Sequence, residues 1–167
     1  MPKARPTRTP KPLKPLKPAT STAPAAPPPL TPCHYEIYCS TTALTPTAPK
    51  IARDYVTAVL KSRHMTLLVD DAAVCTSELM TNACLHARNS VGAVLRMVVD
   101  VAGPVALRVT VHDGDPGNQP RLLEGYDPES GRGLRLVDML TEGHWGTVPG
   151  APLPGGGKGV WFELGHR

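Results

Sequence analysis

The chain has 167 residues, 20 prolines and a formal charge of +4, and its length allows one domain of ordinary size plus an appendage. Residues 1 to 32 hold 11 of those prolines and six basic side chains (Lys3, Arg5, Arg8, Lys11, Lys14, Lys17) with no acidic one, leaving 12 Lys and Arg against 14 Asp and Glu elsewhere, a charge of −2. The high isoelectric point therefore belongs to the tail. No apolar run is long enough to cross a bilayer or to serve as a secretory leader, which argues against a membrane partner and makes a cytoplasmic protein the default.

The composition of 1-32 predicts a disordered, basic, Pro-rich tail, partly in polyproline II, ahead of one folded domain over 33-167. Such a tail suits an electrostatic arm, but Lys-Pro spacing without aromatics offers no platform on which bases could stack, so nucleic acid is not the expected partner. Cys33, Cys39, Cys75 and Cys84 form no CxxC pair and have no histidine at zinc-binding spacing. Cys75 and Cys84 fall within a helical apolar pattern and read as small core residues.

Residues His34 to Ser40 alternate as a first strand. A helix follows, with Pro49 in its first turn and Ile51, Tyr55, Ala58 and Val59 as an apolar stripe running to Arg63. A second helix is expected from about Thr66 to Arg88. Two β-rich runs, Ala93 to Val101 and Val105 to His112, are joined by Ala102-Gly103-Pro104 and predict a hairpin. In the second run Val105, Leu107, Val109 and Val111 alternate with Ala106, Arg108, Thr110 and His112, predicting one buried and one mixed face. A Gly- and Pro-rich loop then leads to a short helix, Leu134 to Leu140, and to strands near His144 to Val148 and Gly159 to Leu164. The order βαα-ββ-α-ββ predicts an α+β fold, a two-layer α/β sandwich with a mixed, mainly antiparallel sheet and helices on one face.

Three segments carry the chemistry. In Glu78-Leu79-Met80-Thr81-Asn82-Ala83-Cys84-Leu85-His86, a carboxylate, an amide and an imidazole recur every four residues, so on a helix all three share one face. Leu79, Met80, Ala83, Cys84 and Ala87 form the adjoining apolar side. Taken alone, the polar stripe fits a solvated helix face as well as a ligand site. Asp113-Gly114-Asp115-Pro116-Gly117 closes a strand and opens a loop whose glycines permit close backbone approach, though such a sequence is also an ordinary turn signal. Gly131-Arg132-Gly133-Leu134 stands before a helix, where free amides and the positive end of the dipole suit phosphate oxygens and Arg132 can add a charged contact.

In this order the segments resemble the GHKL ATPase superfamily, the Bergerat ATP-binding fold of gyrase and histidine-kinase ATP domains. Glu78-x-x-x-Asn82-x-x-x-His86 looks like its N box, Asp113 to Gly117 its first glycine box, and Gly131-Arg132-Gly133-Leu134 its second. The small size and the ending Gly157-Lys158-Gly159-Val160-Trp161-Phe162-Glu163-Leu164 are similar to the single-domain anti-sigma factor serine/threonine-protein kinases of actinobacterial type. The resemblance covers about residues 34 to 165. It implies that Asn82 coordinates Mg²⁺ and that Asp113 reads adenine. It gives Gly117, Gly131, Arg132, Gly133 and Leu134 to the ATP cradle, His86 to a phosphate contact, and Glu78 the role of general base. Asp115 departs from the superfamily pattern, standing where glycine is usual; turned inward, its carboxylate would repel phosphate.

The implied function is an ATP-binding regulatory protein that phosphorylates a serine or threonine on a protein antagonist, with a sigma factor or an anti-sigma-factor antagonist as partner. Relatives of this type are often homodimers. The alternative is a partner-sequestering module, gated by ATP or independent of it, without significant kinase activity.

Overall fold

The computed structural model describes residues 35–87, 90–100, 105–117, 119–122, 132–150 and 156–166. The Pro-rich tail, Cys33, the 102–104 turn and Gly131 lie outside the described residues. Strand β1 (Tyr35–Ala43) leads to helix α1 (Ala48–Ser62), a 3-10 turn (Thr66–Leu68) and helix α2 (Val69–His86). Strands β2 (Gly92–Asp100) and β3 (Val105–Asp113), helix α3 (Arg132–Leu140), and strands β4 (Trp145–Pro149) and β5 (Lys158–His166) complete the order. The expected α+β sandwich is present: one five-stranded sheet in the order β1-β2-β3-β5-β4, with every pairing antiparallel.

The sheet is amphipathic because strand side chains alternate between faces. Leu95, Met97 and Val99 of β2 line up with Leu107, Val109 and Val111 of β3 and with Val160, Phe162 and Leu164 of β5, forming the floor of the core. Helix α2 covers it with Ala72, Cys75, Leu79, Met80 and Ala83. Burial, reinforced by the nearby Asp71 and Glu78 carboxylates, pushes the Cys75 thiol up to about 12 and leaves it an inert core group. Cys84 is half-buried, its Sγ 3.5 Å from the Thr45 carbonyl.

Two expectations are corrected. The buried stripe of α1 is Ala48, Ala52, Val56, Val59 and Leu60. Ile51 is 50% exposed, and Ala58 points to solvent. The small Ala48 and Ala52 allow the first turns to sit close against the core, so the bulkiest apolar residue does not mark the packed face. The second correction concerns β3, whose polar face is buried as well: Ala106, Arg108 and Thr110 are all under 9% exposed. Arg108 lies opposite Glu163 of β5, forms an ion pair with it, and stacks 5.7 Å over Trp161, so side chains of neighbouring strands cover one another.

Candidate nucleotide site

Glu78 and Asn82 lie one turn apart on α2, both half-buried at the border between the packed and solvent sides of the helix. Among the described residues neither side chain has a hydrogen-bonding partner. His86 ends the helix and is exposed. The expected helix therefore carries the three polar residues on one stripe, while Leu79, Met80 and Ala83 face the core.

Helix α3 meets this stripe. Its first turn begins at Arg132, and a Cβ placed on Gly133 would run into the Glu78 carboxylate. The absent side chain leaves space into which Glu78 extends, beside the N-terminal turn of α3, the positive end of its dipole. Leu134 and Val137 turn into the core and hold α3 in place. At the other end of the helix, Trp145 Nε1 donates to Asp138 Oδ1 at 2.7 Å, tying α3 to β4. Arg132 is exposed at the helix start.

Asp113 closes β3 on the same side of the sheet as Leu107, Val109 and Val111, with 2% exposure. Its Oδ1 accepts the Asp115 N–H at 2.9 Å. The loop beyond is pinned at three further points. Gly114 N–H donates to Ser90 Oγ at 2.9 Å, Ser90 Oγ donates to the Gly92 carbonyl at 2.6 Å, and Gly117 N–H donates to Asp115 Oδ1 at 2.9 Å. The Asp115 carboxylate, unexpectedly present in this loop, thus folds back on its own turn as an Asx bond and is 5% exposed.

The sequence alone assigns Lys158 no role. It lies directly opposite Asp113 in the β3–β5 register, and its Nζ donates to Asp113 Oδ1 at 3.0 Å and to the Asp115 carbonyl at 2.9 Å. Both side chains are almost fully buried, 5% and 3% exposed. Gly157 makes the approach feasible: its φ is +134°, and a Cβ there would collide with the Asp113 carbonyl oxygen and stand 2.9 Å from Gly114 Cα. The sequence signal was a lysine flanked by glycines at the start of a strand, but only the register brings it to Asp113.

Two pairings are thus in place: the helix carrying Glu78 meets the start of α3, and the Asp113 loop meets the glycine-flanked start of β5. The model of the histidine kinase-like ATPase domain matches residues 42–145, well over half of the chain. The chain belongs to this family. No curated protein matches it significantly. As a histidine kinase-like ATPase domain the chain is an ATP-binding protein, and the matched span holds Glu78, Asn82, Asp113 and α3. Strand β5 and Lys158 follow that span and belong to the same five-stranded sheet. No helix among the described residues is long and apolar enough to span a membrane.

Proposed function

We propose that this ATPase domain is a regulatory serine/threonine protein kinase of the anti-sigma-factor type, transferring the γ-phosphoryl group of ATP to a hydroxyl on a protein antagonist. The observation that supports it best is the close approach of Glu78 to Gly133, which sets a carboxylate with no partner among the described residues beside a helix N-terminus. In this reading Glu78 accepts the proton of the attacking hydroxyl, while the amides around Gly133, with Gly131 and Arg132, hold the phosphate chain. Asp113, with the Gly117 turn, takes the base, and His86 is assigned a phosphate contact.

The donor set suits magnesium held mainly by nucleotide. Asn82 offers one hard amide oxygen, and no cluster of three or more metal-ligating side chains occurs among the described residues. Mg²⁺ commonly takes one or two protein ligands and completes its shell with phosphates and water. When bound, the ion neutralises charge on the transferring phosphoryl group. The basic 1-32 segment is assigned to a tail outside the 33-167 domain, and the protein to the cytoplasm, where a sigma factor or its antagonist is met.

A second reading is a partner-sequestering module with negligible transfer. It is favoured by Asp115, a buried carboxylate in the loop where the resemblance expects glycine. Calorimetric titration of Mg-ATP into wild type and Asn82→Ala tests the common ground: binding with a magnesium dependence that the variant loses is the expected result. Glu78→Gln then separates the readings. For a kinase it abolishes transfer to the antagonist while nucleotide and partner binding persist; a wild type that transfers nothing to any candidate antagonist leaves the sequestering module.

A further inference from the structure

We propose that the base is read by the Asp113–Lys158 pair acting as one donor–acceptor unit, and that Lys158 is the residue that sets base specificity. The inference rests on the ATP-binding reading above and sharpens it.

Asp113 Oδ1 already accepts from two donors, the Asp115 amide and the Lys158 ammonium, so the acceptor capacity directed at a ligand resides mainly in Oδ2. Lys158 spends two of its three N–H donors on Asp113 Oδ1 and the Asp115 carbonyl, which leaves one. A carboxylate and an ammonium 3.0 Å apart thus present an acceptor beside a donor with no net charge. This is the pattern of a side-chain amide, the group that recognises adenine by accepting from its exocyclic amine and donating to the neighbouring ring nitrogen. A lone carboxylate would read the amine only. Adenine has an acceptor nitrogen on each side of that amine, N1 and N7, and the pair engages one of them.

Burial strengthens the discrimination. At 3–5% exposure the two groups have almost no water to replace a missing partner, so a base lacking the matching nitrogen leaves the lysine donor unsatisfied. Gly157 and Gly159 flank Lys158, and the absence of a Cβ at Gly157 lets the strand start approach the Asp113 backbone closely enough for the pair to form.

The test is calorimetric titration of ATP, 1-deaza-ATP and 7-deaza-ATP into the full-length wild type and into Lys158→Met. The expected result is that wild type binds one deaza analogue about tenfold or more weakly than ATP. Lys158→Met then binds ATP and that analogue equally, a loss of discrimination that a merely structural lysine would not produce. Equal binding of all three nucleotides by wild type overturns the proposal, as does a folded Lys158→Met that keeps the discrimination. Thermal melting establishes whether the variant is folded, and if it is not, the wild-type series decides alone. A wild type that binds none of the three nucleotides defeats the ATP-binding reading itself, a result distinct from equal binding.

Discussion

Glu78 occupies the space that a side chain at Gly133 would take, so the N-box helix and the start of α3 are locked together through a missing methyl group. Gly133→Ala must push the carboxylate aside. Because the colliding atom is the far end of a flexible side chain, the fold should survive and the melting temperature should change little. The position of the proposed general base should not survive. Phosphoryl transfer is expected to fall by about a hundredfold while ATP affinity changes much less, since displacements of about 1 Å at a reacting group cost that much. Single-turnover rates alongside calorimetry check it.

Gly157 presents the opposite case. Its φ of +134° is strained for any side chain, and the atoms a Cβ would meet are backbone atoms of Asp113 and Gly114, which cannot swing away. Gly157→Ala should therefore destabilise the protein by at least about 1–3 kcal/mol from backbone strain, with the collision adding to it. Gly143→Ala is the internal comparison: its φ of +81° carries similar strain, but nothing lies within 4 Å of the added methyl. Chemical denaturation of the two variants should show the larger loss at Gly157.

The buried Arg108–Glu163 pair gives a third expectation. Arg108 Nε donates to Glu163 Oε1 at 2.6 Å, Nη2 reaches the same oxygen, and both side chains are under 10% exposed. Removing one partner strands a charge without water, so Arg108→Met or Glu163→Gln should each cost about 3–5 kcal/mol. Replacing both together should cost less than either single change. A double-mutant cycle measured by urea unfolding reads the difference.

Much of this architecture was legible because its signals are local. Alternating Val and Leu in β3 and the four-residue spacing of Glu78, Asn82 and His86 each lie within one element, and the structure keeps them. What escaped depends on partners distant in sequence. Ile51 looks like a core residue until Ala48 and Ala52 are seen to take the close-packed face. Arg108 reads only as one member of a mixed face until Glu163 is placed opposite it, 55 residues away. Lys158 gained its place only through register, because a one-residue slip between β3 and β5 would put it on the other side of the sheet.

His112, on the outer face next to Asp113, makes stability depend on pH. Burial first, then the Arg96 guanidinium, hold its imidazole below the ordinary 6.5, against smaller upward effects from a Gly150 backbone hydrogen bond and Asp113. The folded protein thus keeps His112 neutral where the unfolded chain takes a proton. Its contribution is complete above pH 6.5 and is lost as pH falls from there through the lowered folded value. Wild type should melt at progressively lower temperature as pH drops from about 7 to about 5, and His112→Gln should flatten that dependence.

The strand order β1-β2-β3-β5-β4 threads β5 into the interior of the sheet, between β3 and a strand that precedes it in the chain. Until residues 158 to 166 are available, β3 keeps an open edge and β4 has no neighbour. A nascent or truncated chain ending before Lys158 would contain Glu78, Asn82 and Asp113, yet it would lack the strand that gives Asp113 its counter-charge. In the proposed reading the base contact therefore requires β5 as well as β3, and β3 must wait for a partner 45 residues downstream before the sheet can close.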